Sequence, residues 1–360
     1  MPVCVGVPSE TKDSERRVVL DPHAVHSLTT VGHRVLVQHR AGEGAGFPDE
    51  AYRAAGAYIV ADARAAWAAD IVVKVKEPQP AEWAFFRPGL ILFAYLHLAA
   101  EPDLATALAD SGVEAYAFET LVRNGSLPLL APMSEVAGRA AAIIGATQLA
   151  AGEGTLLGGA AGVSPARVVV LGMGVAGTMA ARGARGMDAE VTGVDVDLAR
   201  LTQVQGLGVV TSTLASSPAA VGEAVADADL VIGAALIPGA RAPLVLEKHH
   251  VEAMRPGSVV VDLAIDQGGC IETARPTSLS APTFVYADVL HYCVTNVPGQ
   301  YPRTASRALS AAVAPCLRRL ALDPADPSLD GALNVSQARI VHPVVAAAVS
   351  ATTSSREGSL

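Results

Sequence analysis

Four polar side chains fall where an α/β chain is usually apolar, at the ends of strand-like runs: Arg17, Lys76, His97 and Asp266. Arg16-Arg17 follows a strand-like run and a polar turn, and an arginine there can grip a carboxylate through two parallel hydrogen bonds. Lys76 closes the apolar run 71–75 and is followed by Glu77-Pro78. A lysine in that place can bind a carboxylate or polarise a carbonyl. His97 lies in Leu96-His97-Leu98, and imidazole titrates near neutrality, so it can serve as general acid or base. Asp266 follows Val261-Asp262-Leu263-Ala264-Ile265 and precedes Gln267-Gly268-Gly269, which leaves its carboxylate little steric cover. Singly, each has an ordinary reading: a solvated arginine, a strand-end charge, a core histidine, a turn aspartate. Together they put an anion clamp, a lysine, an acid–base group and a carboxylate at strand ends, where open α/β sheets bind their ligands.

A second constellation binds rather than reacts. Val168-Val169-Val170-Leu171 runs straight into Gly172-Met173-Gly174-Val175-Ala176-Gly177, and an Ala-rich helical stretch follows. This is G-x-G-x-x-G in its strand–turn–helix context, the dinucleotide-binding pattern. Gly172 suits the tight turn, Gly174 the approach of a pyrophosphate to the backbone, and Gly177 close packing of helix on strand. The helix start then offers unpaired N–H groups to phosphate. Asp195 ends the next apolar run, eighteen residues after Gly177. A carboxylate there accepts from a ribose 2′-hydroxyl and repels a 2′-phosphate, which selects NAD over NADP.

The elements that must carry these groups can be read from periodicity. Strand-like residues 3–7, 34–38, 71–75 and 90–96 alternate with helical patterns at 22–31, 49–55 and 102–109. Asp21 is placed to cap the first helix and Gly32 to stop it. Such alternation predicts a parallel sheet. Residues 132–151 read as a long small-residue helix, 152–162 as a glycine-rich connection, and 229–233 and 258–262 as strands of a second α/β run. From Thr304 the pattern is helical again, and this last stretch is too short to be a domain by itself. The expected fold is α/β, with two Rossmann-like domains on parallel sheets. The nucleotide domain, 132–303, is inserted into a discontinuous substrate domain, 1–131 plus 304–360. The polar tail 350–360 is expected to be disordered.

Composition agrees with two domains and narrows the partners. The chain has 360 residues, more than one core usually supports. A net charge of −9 with no Lys/Arg-rich block gives no footprint for nucleic acid. The apolar stretch 90–98 is too short to span a bilayer and contains His97, so no membrane partner is expected. No secretory h-region follows Met1-Pro2-Val3-Cys4. The four cysteines, Cys4, Cys270, Cys293 and Cys316, form no C-x-x-C pair, so neither a metal site nor a disulfide framework is expected. A cytoplasmic location fits.

With these residues in hand, the chain resembles NAD-dependent alanine dehydrogenases. The matching blocks are Gly6-Val7-Pro8-Ser9-Glu10, residues 15–18, Lys74-Val75-Lys76-Glu77-Pro78 and Tyr95-Leu96-His97-Leu98-Ala99-Ala100-Glu101-Pro102. Pro132-Met133-Ser134-Glu135-Val136-Ala137-Gly138-Arg139, the glycine fingerprint, Leu236-Ile237-Pro238-Gly239-Ala240 and residues 261–269 match as well. The resemblance implies that Arg17 holds the substrate carboxylate, that Lys76 contacts carboxylate and keto oxygen, and that His97 and Asp266 are catalytic. It implies NAD contacts at Ser134, Gly172, Gly174, Val175, Ala176, Gly177, Asp195, Arg200, Ser216, Ala235, Leu236, Leu263, Ala264, Ile265, Asp266, Arg275, Val294, Thr295, Asn296 and Val297. The implied reaction is reversible oxidative deamination of L-alanine to pyruvate and ammonium, in a homo-hexamer.

The chain also departs from the family pattern. Asn296-Val297-Pro298-Gly299 stands where the family usually has N-M-P-G, and Arg339 stands near where it often has histidine. The shorter Val297 keeps a dehydrogenase for another small L-amino acid as an alternative. A transhydrogenase-like NAD-binding subunit is a second alternative, opposed by the histidine block and Asp266. A non-catalytic NAD-binding regulator is a third, opposed by retention of all four polar residues.

Overall fold

The computed structural model describes the backbone of residues 2–237 and 242–357 and side chains as far as Ser350. The chain divides into two compact units, residues 1–133 with 301–360, and residues 134–300.

The first unit opens with β1 (Cys4–Val7), α1 (Pro22–Thr29), β2 (Arg34–Gln38), α2 (Asp49–Ala54), β3 (Tyr58–Val60), α3 (Ala63–Trp67), β4 (Ile71–Val73), β5 (Ile91–Ala94), α4 (Pro102–Asp110) and β6 (Glu114–Ala117). Asp21 caps α1 as expected, its carboxylate accepting from the Ala24 N–H at 2.9 Å. After α5 (Ala131–Ala151), the second unit runs through β7 (Arg167–Leu171), α6 (Val175–Gly186), β8 (Glu190–Asp195), α7 (Leu198–Gly206), β9 (Ser212–Ala215), α8 (Pro218–Ala226) and β10 (Leu230–Gly233). It continues with α9 (Lys248–Glu252), β11 (Val259–Asp262), β12 (Thr283–Tyr286) and β13 (Val289–Tyr292). The chain then returns to the first unit with α10 (Pro302–Leu322), β14 (Leu333–Ser336), β15 (Arg339–Ile340) and α11 (Pro343–Glu357).

The first unit holds an eight-stranded sheet in the order β15-β14-β6-β5-β4-β1-β2-β3, the second a seven-stranded sheet in the order β12-β13-β11-β10-β7-β8-β9. Both are mostly parallel, as the β/α alternation predicts. Each ends in antiparallel pairs at one edge: β14 runs against β6 and β15, and β12 against β13. Those edge strands are short and joined by tight turns rather than helices, so the alternation signal misses them.

The inner strands β4, β5 and β10 are apolar at every position because both faces are covered. In β4, Ile71 and Val73 enter one core cluster and Val72 the other. Phe93, Tyr95 and Phe118 meet edge-to-face on the first side, with ring centroids 4.5 to 5.0 Å apart for the pairs Phe93–Phe118 and Tyr95–Phe118. Chain termini close this core: the Val18 N–H donates to Ser306 Oγ and the Asp21 N–H to Ser310 Oγ, both at 2.9 Å.

The tail expectation is corrected over much of its length. Residues 350–357 continue α11, and 358–360 lie outside the described residues. Pro343 occupies the first helical turn, where its missing N–H costs nothing. Val345 and Val349, four apart on one helical face, are buried with Leu104 and Leu108 of α4.

Candidate active site

In the first unit the sheet brings Lys76 and His97 to neighbouring strand ends. Each lies three residues beyond its strand, Lys76 after β4 and His97 after β5. The two extensions stay bonded past the regular ladder: the Lys74 N–H donates to Phe93 O at 3.2 Å, and the Tyr95 N–H to Val75 O at 3.1 Å. His97 takes a left-handed backbone, φ +50°, which a residue with a Cβ adopts only under constraint. Its ring stacks on Tyr95 with centroids 6.0 Å apart. Tyr95 is fixed in turn, its hydroxyl donating to Leu129 O at 2.5 Å.

Electrostatics set the protonation of this cluster. Burial, reinforced by the cations Lys76, Lys12 and Arg17, pushes the His97 imidazole down to about 3; Glu77 opposes this. Glu77 lies below the usual carboxylate range, because Lys76 and the Lys12 ammonium outweigh the effect of its burial. Lys12 reaches it at 2.5 Å, and its other oxygen is buried with no protein partner. Arg17 is 3% exposed. Its Nε and Nη2 donate to Glu15 at 2.8 and 2.5 Å, and Nη1 to Met133 Sδ at 3.1 Å. Glu15 thereby locks the plane and direction of the guanidinium fork.

Several groups in this region were not singled out in the sequence. Lys74 is fully buried and ion-paired with both oxygens of Glu82, at 2.6 and 2.7 Å, and with Glu10 at 3.7 Å. Glu10 accepts from the Val75 N–H at 2.6 Å and is pushed up to about 7 by burial, against the pull of Lys74. Glu119 accepts from the His97 N–H at 2.6 Å; burial raises it too, against its backbone hydrogen bonds and Lys76.

The second unit places the glycine fingerprint between β7 and α6. Gly172 has φ +91°, and a Cβ there would lie 2.8 Å from the Ala235 backbone. A Cβ on Gly177 would sit 1.8 Å from Gly172 O, so only glycine lets the helix come this close. Gly174 differs: a Cβ there would face open space, with nothing nearer than Arg200 Nη1 at 3.8 Å. No side chain caps α6, whose first turn thus presents its N–H groups beside this opening. Uncapped N–H groups beside a cradle that a side chain would fill suit a dinucleotide pyrophosphate.

Most of the remaining residues named for the cofactor follow strand ends of this sheet, whereas Arg200 lies in α7 and Ser134 in α5. Asp195 ends β8, its carboxylate accepting from the Met173 N–H at 2.6 Å and the Asp197 N–H at 2.9 Å, so it also ties down the glycine loop. Arg200 Nη1 points to Met173 O at 3.5 Å, and the Ser216 N–H reaches Asp195 O at 2.9 Å. Ala235 and Leu236 follow β10; Pro238, Gly239 and Ala240 of their block lie outside the described residues. Leu263, Ala264, Ile265 and Asp266 follow β11, and Val294, Thr295, Asn296 and Val297 follow β13. The last two stretches meet, the exposed Asp266 carboxylate accepting from the Asn296 N–H at 3.0 Å. Asn296 is left-handed, φ +56°. Ala264, Ile265, Val294 and Val297 are buried, which leaves mainly their backbone to offer. Arg275 stacks its guanidinium 4.4 Å from the Phe284 ring centre, and Ser134 stands half-buried in α5. A further organiser is Asp262, which accepts from the Ala264 and Cys270 N–H groups at 2.9 and 3.0 Å and is pushed up to about 6 by burial. Its only sequence signal is an acid closing the apolar run of β11. Among the described residues no cluster of metal-ligating side chains is found.

A dinucleotide-binding unit joined to an α/β unit with Lys76 and His97 just past its strand ends, and Arg17 in the loop after β1, defines an NAD-dependent oxidoreductase. Residues 6–137 match the family model "Alanine dehydrogenase/PNT, N-terminal domain", and residues 140–343 match "Alanine dehydrogenase/PNT, C-terminal domain". The chain belongs to the alanine dehydrogenase/PNT family. It is 51% identical to the alanine dehydrogenase of Bacillus subtilis, over 88% of this chain and 85% of that one. It is 49% identical to that of Mycobacterium tuberculosis, over 88% and 87% of the two chains. A solved L-alanine dehydrogenase superposes with TM-score 0.92 at 45% identity, covering 97% of this chain and 99% of that one. A transhydrogenase from Sinorhizobium meliloti superposes with TM-score 0.82 at 30% identity, covering 94% and 99%.

Proposed function

We propose that this chain catalyses the reversible oxidative deamination of L-alanine to pyruvate and ammonium. The observation that carries this is the likeness to alanine dehydrogenases over most of the chain, together with the Arg17 guanidinium oriented by Glu15 in the unit that also holds Lys76 and His97. Arg17 takes the substrate carboxylate, its fork aimed by Glu15. Lys76 supports the carboxylate and the oxygen that appears on Cα. His97 and Asp266 share the proton transfers, from the amine and from the water that attacks the imine carbon before the C–N bond breaks. NAD⁺, when bound along the fingerprint with Asp195 at its ribose, supplies the two-electron acceptor for the Cα hydrogen.

Ser134, Arg200, Ser216, Ala235, Leu236, Arg275 and the stretches 263–266 and 294–297 are the further cofactor contacts in this reading. No helix among the described residues is long and apolar enough to cross a membrane. A cytoplasmic homo-hexamer is the assembly and location we assign, on family likeness.

The test is NADH formation from NAD⁺ and L-alanine at alkaline pH, beside a panel of small L-amino acids. The expected result is a maximum on alanine. A maximum on another amino acid would show a reshaped pocket around Val297. Silence on all would favour the transhydrogenase-like alternative, which the likeness at 30% identity keeps in view.

A further inference from the structure

Across the first sheet the order β6-β5-β4-β1 leaves β4 and β5 as an inner pair, with β1 and β6 outside them. In a parallel ladder alternate N–H groups point to opposite neighbours. Beyond β4, the Lys74 N–H points to β5, so the Val75 N–H points to the β1 side. Beyond β5, the Tyr95 N–H points to the β4 side, so the Leu96 N–H points to the β6 side. Both outer strands have ended by then, β1 at Val7 and β6 at Ala117. Carboxylates from the segments that follow those strands stand in their place. Glu10 accepts from Val75 at 2.6 Å and from Lys76 at 3.3 Å. Glu119 Oε1 accepts from both Leu96 at 3.2 Å and His97 at 2.6 Å, and its Oε2 from Leu96 at 3.3 Å. A carboxylate can thus take two successive N–H groups, whereas a strand would offer one carbonyl and then turn away.

We propose that Glu10 and Glu119 are the positioning residues of the site, a matched pair that replaces the missing sheet neighbours and fixes the backbones of Lys76 and His97. Fixing matters most at His97, whose left-handed backbone no regular strand could supply. Glu10 is itself held, its carboxylate 3.7 Å from the buried Lys74 ammonium that Glu82 anchors. The inference rests on the reading that Lys76 and His97 meet the substrate.

The experiment compares Glu119→Ala, Glu119→Gln, Glu10→Ala and Glu10→Gln for kcat, KM for pyruvate and Kd for NADH. Both alanine variants are expected to lose kcat by about 100-fold, the effect of a small misplacement of a reacting group. NADH binding should be unchanged. Glutamine keeps an accepting oxygen and should recover turnover to within about tenfold of wild type. Glu119→Ala added to His97→Ala should remove nothing more, since it acts through that side chain. An inactive His97→Ala beside a fully active Glu119→Ala overturns this proposal alone. A fully active His97→Ala overturns the catalytic reading and this one with it. Should the alanine variants not fold, amide exchange on the unaltered protein decides. The Val75, Leu96 and His97 amides are then expected to exchange as slowly as those of β4 and β5, and exchange at the rate of open peptide overturns the pairing.

Discussion

At His97, burial and the neighbouring cations lower the imidazole to about 3, whereas in the unfolded chain it titrates near 6.5. Between those values the unfolded chain binds a proton that the folded chain refuses. His97 therefore contributes stability that is present above about pH 6.5 and is lost as pH falls toward 3. His97→Asn tests this, since asparagine tolerates the left-handed backbone. In urea unfolding at pH 7.5, 5.5 and 4.5, the wild type should lose stability faster with acid than the variant. Parallel losses would mean that the imidazole is not held neutral. The same variant should abolish turnover while NADH still binds. Asp195→Ala should act in reverse, raising the KM for NAD far more than it lowers kcat at saturating cofactor. The residues to which the proposed function assigns chemistry stood out in the sequence because Arg, Lys, His and Asp look misplaced at apolar strand ends. Glu10, Glu15 and Glu119 did not, because an acid in a polar stretch reads as solvent-facing. Their partners are set by the fold: Glu119 meets His97 across 22 positions and Glu10 meets Val75 across 65.

At the scale of elements, two of the fingerprint glycines, Gly174 and Gly177, make separable predictions. Gly177→Ala places a methyl 1.8 Å from a backbone oxygen, so α6 must shift off β7. The expected cost is about 1–3 kcal/mol in chemical unfolding, the range for overpacking. Gly174→Ala meets nothing in the protein and should leave stability within about 0.5 kcal/mol, as at other uncrowded sites. It should nevertheless weaken NADH binding at least tenfold, by filling the space for the pyrophosphate. Normal NADH affinity in Gly174→Ala would remove that loop from the cofactor site. The strand–turn–helix context made this unit readable, because the pattern is local. The β12–β13 hairpin, β14 and β15 were missed for the opposite reason: four residues or fewer, joined by tight turns, give too little periodicity to count. The last turns of α11, 350–357, were missed because they are polar, although they continue a helix whose first turns bury Val345 and Val349.

For the whole molecule, a length beyond one core and the return of helical pattern after Thr304 lead to the expectation of an interrupted unit. The second unit is one unbroken stretch, 134–300, whereas the first takes β14, β15 and the long α10 from beyond residue 300. A fragment spanning 134–300 should fold cooperatively and bind NADH, as followed by circular dichroism and ligand fluorescence. A fragment spanning 1–133 should not, since Leu309, Val313 and Leu317 of α10 are missing from its core. Cooperative melting of the shorter fragment would contradict that division of labour. The hydrogen bonds from Val18 to Ser306 and from Asp21 to Ser310 then set an order of events at the ribosome. The first 133 residues emerge first yet must wait for about 170 more, roughly 10 to 30 s at ordinary translation rates. The inserted unit is complete at the end of that interval, before α10 has followed it, so the sheet that carries Lys76 and His97 is the later of the two to be finished. The nucleotide unit is thus complete ahead of its partner unit.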